Sequence, residues 1–168
     1  MILKNLNKSF LFNTSLIFLI FLFDRFSKIY VIYLDKKFLG SEIFSSKFLN
    51  INLIWNEGIA FGLLSFDKSN LYNFLTFIIF IVIVIICFMV IKSDGLQKYS
   101  LLMILGGALG NFFDRLFFKA VPDFIDFHVG NFHWFIFNVA DIFITLGVIF
   151  MIIIEITGNN KNKKYEIL

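Results

Sequence analysis

The chain has 168 residues; 59% are hydrophobic, 26 are Phe, and only 16% are charged. This excludes a disordered chain and departs from soluble domains, which carry about 25% charged residues. The net charge of +3 sits near the chain ends and one short loop, an orientation signal rather than a nucleic-acid footprint.

A mean hydropathy of +0.85 points to a bilayer as solvent. Lys4 and Lys8 precede a first apolar run over 11–34, which is interrupted by Asp24, Arg25 and Lys28. That start also resembles a secretory signal peptide. No small-x-small cleavage site follows it, so a retained helix is the better reading. Residues 35–70 have a different texture. Leu49, Ile51, Leu53 and Trp55 alternate with Asn50, Asn52 and Asn56, and this period of two predicts a strand in a small outer sheet. The run 71–91 is free of charge, 99–118 meets Asp114 and Arg115 near its end, and 135–156 opens near Asp141. Each run is long enough to cross ~30 Å of hydrocarbon as a helix.

Lys92 and Lys98 flank the loop between the second and third runs, and Lys161, Lys163 and Lys164 follow the fourth. The positive-inside rule puts these and the N-terminus in the cytoplasm. Residues 35–70 and the 119–134 loop then face outward. The expected fold is an all-α membrane protein, one domain over 1–168, with four transmembrane helices and a small extracytoplasmic β-containing segment. The lone Cys87 provides no disulfide framework.

Ionisable groups inside spans are expensive and by default point to function. In the expected topology Asp24, Lys28, Asn111, Asp114, Arg115, Asn138 and Asp141 share the outer half of the membrane, with Asp123 in the adjoining loop. Glu155 alone lies near the cytoplasmic end. Asp24 and Lys28, four apart, share a helix face and can neutralise each other. Arg115 can pair across helices or meet a lipid or substrate oxygen. Gly106, Gly107 and Gly110 allow another helix to approach closely. Asp123 and Asp141 lack an obvious local cation. Such a pair can share one proton and act as an aspartic dyad, form part of a cation or proton pathway, or be structurally paired. The residues alone leave these open. Other chemistries lack a motif: HExxH and G-x-S-x-G are absent, and His128 and His133 are read as interfacial or structural.

Five blocks resemble the bacterial lipoprotein signal peptidase family, also called signal peptidase II. They are Asp24-Arg25-Phe26-Ser27-Lys28, Asn56-Glu57-Gly58-Ile59-Ala60-Phe61-Gly62, Gly106 through Arg115, Val121 through Phe127, and Phe137-Asn138-Val139-Ala140-Asp141. They stand in the family's order and cover about residues 15–156. The resemblance implies an aspartic endopeptidase of the bacterial cytoplasmic membrane, with its site near the outer surface; a monomer is expected, though the residues do not fix the oligomeric state. Its partners would be membrane lipids and prolipoproteins carrying diacylglyceryl on a Cys, cut just before that Cys. It implies Asp123 and Asp141 as the catalytic pair. Asn56, Asn111, Arg115 and Asn138 would orient substrate or dyad, and Asp24, Lys28 and Asp114 would hold the site together. Carboxylates activate water without a metal, so no metal or cofactor is expected. Arg25 and Pro122 depart from the family's pattern. Pro122 raises the question of a stiffer loop before Asp123. The alternative function is a small ion- or proton-coupled transporter.

Overall fold

The structure is a computed structural model that describes residues 2–58 and 69–165, with side chains over 8–58 and 72–157. In chain order it comprises α1 (Ile2–Lys37), β1 (Phe44–Ser45), β2 (Leu49–Asn56), α2 (Ser69–Lys92), α3 (Gly95–Phe118), β3 (Val121–Val129), β4 (Phe132–Phe137) and α4 (Val139–Tyr165). The Ile59–Gly62 part of one sequence block, with the rest of 59–68, lies outside the described residues.

Among the described residues three helices are long and apolar enough to cross a membrane, over Tyr72–Lys92, Gly95–Phe118 and Val139–Thr157. Their outward faces carry exposed Phe74, Phe77, Phe88, Ile149, Phe150 and Ile152, as expected where lipid replaces water. Helix α1 is not among the three; Asp24, Arg25 and Lys28 interrupt its apolar run.

The chain is mostly helical but not all-α. A four-stranded antiparallel sheet in the order β1-β2-β3-β4 joins the outer segment to the region between α3 and α4. The 119–134 stretch, expected to be a loop, is largely strand. Lys119 ends α3 in the left-handed conformation, and the chain then forms the β3–β4 hairpin. The fourth helix begins at Val139, not 135, because Phe135, Ile136 and Phe137 close β4. A short apolar run fits strand and helix periods equally, and here it adjoins a helical run of the same character. Pro122 lies within β3 opposite Trp55, before β4 begins to pair at Ile125. It therefore has one neighbouring strand, a position that tolerates a missing N–H.

Helix α3 is the centre of the helical layer and packs on α1, α2 and α4. Ile83 and Ile86 of α2 meet Leu101 and Leu105 of α3 in one buried cluster. The α3 glycines permit the other contacts. A Cβ on Gly106 would lie 2.9 Å from Ile20, one on Gly107 2.5 Å from the Ala140 carbonyl oxygen, and one on Gly110 2.5 Å from Asp24 Oδ2. A second cluster of Val31, Phe124 and Val139 ties α1, β3 and α4 together. It seats the sheet against the end of the helices where the polar residues collect.

Candidate active site

The site begins with the start of α4. Asn138 immediately precedes this helix, and its Oδ1 accepts the Asp141 backbone N–H at 3.2 Å, while the Asn138 N–H donates to Asp141 Oδ2 at 3.1 Å. This reciprocal arrangement is a capping box, which satisfies backbone donors that a helix start leaves orphaned. It also fixes the Asn138 amide. With Oδ1 committed to α4, Nδ2 faces away and donates to Asp123 Oδ1 at 2.6 Å. One side chain therefore contacts both acidic residues.

Asp123 is fixed from its other side by β2. Asn56 Oδ1 accepts the Gly58 N–H at 2.9 Å, which leaves Asn56 Nδ2 to donate to Asp123 Oδ2 at 2.9 Å. Both Asp123 oxygens thus face donors that cannot turn around. Asp141 is held similarly. Asn111 Nδ2 donates to its Oδ1 at 2.8 Å, because Asn111 Oδ1 accepts from Lys28 Nζ at 2.8 Å. An ammonium only donates, so Lys28 sets the orientation of Asn111.

Behind Asn111 lies a buried ionic cluster. Lys28 Nζ also donates to Asp114 Oδ2 at 2.7 Å and Asp24 Oδ2 at 2.9 Å, using all three of its protons. Arg25 faces both oxygens of Asp114: Nη2 donates to Oδ2 at 2.6 Å, and Nη1 lies 2.5 Å from Oδ1. Asp24 Oδ1 accepts the Ala140 N–H at 3.0 Å, so this carboxylate also caps the first turn of α4. Two cations and two anions balance. Asp24, Lys28 and Asp114 have no measurable exposure, and such groups persist in an apolar setting only when paired and hydrogen-bonded.

The pairing of Asp24 with Lys28 follows from their spacing, but Arg25 was missed as a site residue. The available signal was charge: Arg25 and Lys28 exceed Asp24 by one, so the segment needed a distant anion. Asp114 supplies it. The Asp24 cap on α4 had no sequence signal.

Arg115 sits on a different face of α3. Its Nη2 donates to the Gly58 carbonyl at 2.5 Å, and its guanidinium carbon lies 5.9 Å from the Tyr72 ring centroid. The Tyr72 hydroxyl donates to the Arg115 carbonyl at 3.1 Å. Arg115 Nη1 is buried with no partner among the described residues. Arg115 thus holds the chain just after β2 rather than an acidic side chain.

Asn56, Asn111, Arg115, Asp123, Asn138 and Asp141 all line one cavity of about 250 Å³. Among the sequence-selected residues, Asp24, Lys28 and Asp114 stand behind it. Asp123 is 4% exposed, and this burial pushes its carboxyl up to about 6. The Asn56 hydrogen bond pulls the other way, the negative Asp141 adds to the rise, and the Asn138 bond and the Lys28 charge oppose it. A pair of carboxyls beside one small cavity, coupled through their charges and both bonded by Asn138, one through its side chain and one through its backbone N–H, can hold one proton between them. It can then both accept a proton from water and donate one to a reacting oxygen.

The profile of the signal peptidase (SPase) II family matches residues 16–157. A protein of Pelagibacter ubique (strain HTCC1062), named lipoprotein signal peptidase, is 50% identical over 154 residues, covering 92% of this chain and 93% of its own. A lipoprotein signal peptidase of Francisella tularensis subsp. novicida (strain U112) is 38% identical, covering 80% of this chain and 87% of its own. A solved structure of a bacterial membrane enzyme superposes with a TM-score of 0.67 at 29% identity, over 90% of both chains.

Proposed function

The chain belongs to the signal peptidase II family, and we propose that Asp123 and Asp141 are the catalytic pair of a membrane aspartic endopeptidase. Its substrates are prolipoproteins carrying diacylglyceryl on a Cys, and it cuts the peptide bond before that Cys. The observation that carries this reading is Asn138. It bonds both carboxyls and holds them on one cavity with their oxygens fixed. The ion- or proton-coupled transporter is set aside by the family.

In the resting site the pair shares one proton. The ionised partner takes a proton from a water in the cavity as the water oxygen attacks the scissile carbonyl. The protonated partner donates to the carbonyl oxygen, giving a neutral gem-diol. One carboxyl then gives its proton to the amide nitrogen while the other takes a proton from a gem-diol hydroxyl, so the C–N bond breaks to leave a carboxylic acid on the signal peptide and the lipidated Cys as a free amine. The pair ends with one proton, as it began. Asn111 and Asn138 orient Asp141, while Asn56 and Asn138 orient Asp123. Arg115 positions the chain at Gly58, with Nη1 left for a substrate carbonyl.

The membrane arrangement proposed with this reading makes α1 a fourth span. Its 36 residues reach ~54 Å as a helix, and its three mid-helix charges, Asp24, Arg25 and Lys28, are neutralised among themselves and against Asp114 of α3. Both termini are cytoplasmic, and the sheet and dyad lie near the outer surface of the inner membrane, where signal peptide, acyl chains and water meet. An apolar cavity of about 540 Å³ beside the dyad hairpin, lined by Phe48, Phe127, Val129, Trp134, Phe135 and Phe137, suits lipid chains. Cysteines at positions 36 and 163, in a Cys87→Ser background, should label oppositely with an impermeant reagent on intact cells. Labelling of position 163 from outside would overturn the topology.

The functional test is incubation of the purified protein with prolipoprotein, with and without diacylglyceryl, reading the cut by mass. Cleavage before the Cys, far faster for the lipidated form, is expected because remote apolar contacts place the scissile bond. Equal rates would refute lipid recognition.

A further inference from the structure

The β3–β4 hairpin carries a second polar cluster that the dyad does not use. His128 and His133 are five apart in sequence but are direct cross-strand partners, with ring centroids 5.1 Å apart. Directly opposite residues on antiparallel strands share a face. Asp126, two residues before His128 on the same strand, joins them on that side, next to a register irregularity between Asp126 and His128. Asp126 Oδ2 lies 2.8 Å from His133 Nδ1. One ligand atom from each residue falls within 4.8 Å of the others.

Two further observations distinguish this cluster from a simple Asp–His pair. Asp126 is 94% buried (6% exposed), yet its Oδ1 has no partner among the described residues. His128 Nδ1 is likewise buried and unpartnered. Buried polar atoms without partners are rare and call for a missing water or ion. His133 is half exposed, which leaves an entry path for a cation and room for water to complete its shell.

We propose that Asp126, His128 and His133 bind a divalent cation of the zinc class, separate from the dyad, and that this pins β3 to β4. Imidazoles with one carboxylate favour zinc, nickel, copper or iron(II) over magnesium and calcium, which prefer all-oxygen shells. Zinc bonds of ~2.0–2.2 Å require ligand atoms roughly 3.3 Å apart. Asp126 and His133 already lie within that separation, and a rotamer adjustment of His128 brings in the third. Three protein ligands leave the remaining positions to water.

The test uses untagged full-length protein in detergent, stripped with a chelator and titrated with zinc chloride by calorimetry. Cobalt(II) provides a parallel absorption readout of the ligand set. One ion per chain with a Kd on the order of micromolar is expected. His133→Gln and His128→Gln should each weaken it at least ~10–100-fold, with thermal unfolding read alongside to confirm the fold. Asp141→Asn should bind zinc as the parent does. No saturable binding to the parent protein up to ~1 mM would overturn the proposal. So would equal binding by folded His133→Gln, or loss of the ion on Asp141→Asn.

Discussion

Replacing Asn138 by Ala separates two jobs that one side chain performs. The first is capping α4 through the 3.2 Å bond from the Asp141 N–H; losing a cap of this kind costs about 0.5–2 kcal/mol of stability. The second is the 2.6 Å bond to Asp123 Oδ1. A hydrogen bond to a charged group contributes about 1.5–3 kcal/mol, and 1.36 kcal/mol corresponds to one pH unit in a titration. Because the amide donates to the ionised form, removing it favours the protonated form. Asp123 should therefore move from about 6 to roughly 7–8. In a dyad that works with one proton, this is the limb on which the last proton is lost. The alkaline limb of kcat/KM for diacylglyceryl-modified substrate should shift upward by ~1–2 pH units while the maximum falls. A lowered Tm with the alkaline limb unmoved would show that the Asn138 side chain only caps the helix, and its part in tuning Asp123 would be refuted.

Lys28→Met leaves Asp24 and Asp114 buried with one fewer donor each and frees Asn111 to turn. It should cost about 3–5 kcal/mol in detergent unfolding and slow turnover of the remaining folded protein; a loss below ~1 kcal/mol would mean the cluster rearranges freely. Gly110→Ala drives a methyl to within 2.5 Å of Asp24 Oδ2 and should lower both Tm and turnover, whereas Gly130→Ala, with φ +60 and nothing within 4 Å, should cost about 1 kcal/mol and leave turnover intact. Equal effects of the two substitutions would contradict the close α1–α3 approach.

How far the sequence could be read depends on the distance over which each signal acts. The three most apolar helices announce themselves by composition, whereas the cap made by Asn138 and Asp141, three apart, is masked because the apolar run reads as a helix starting at 135. Asp24 with Lys28 shows a one-turn pair. The period of two over 49–56 gave β2. Contacts remote along the chain were illegible: Arg25 with Asp114 is 89 positions apart, and Asp24 with the Ala140 N–H is 116. The hairpin was hidden for another reason. Its strands are rich in Phe and run into a span of the same composition, so hydrophobicity marked no boundary at 138. His128 and His133 look unrelated at a separation of five, and become partners only once the turn between β3 and β4 sets their register.

The central claim is that Asp123 and Asp141 perform the chemistry. The most direct measurement is the single-turnover rate for lipidated prolipoprotein, per folded protein, in Asp123→Asn, Asp141→Asn, the double variant and Asp114→Asn. An Asn at 123 meets two fixed amide donors and cannot exchange the proton, so folding is checked by thermal unfolding in every variant. Each dyad substitution should slow cleavage ~10²–10⁴-fold, and the double variant should be little worse than either, because groups acting as a unit are not additive. Asp114→Asn should lower stability while its folded fraction still cuts. Loss of turnover in well-folded Asp114→Asn, with Asp123→Asn near the parent rate, would contradict the account.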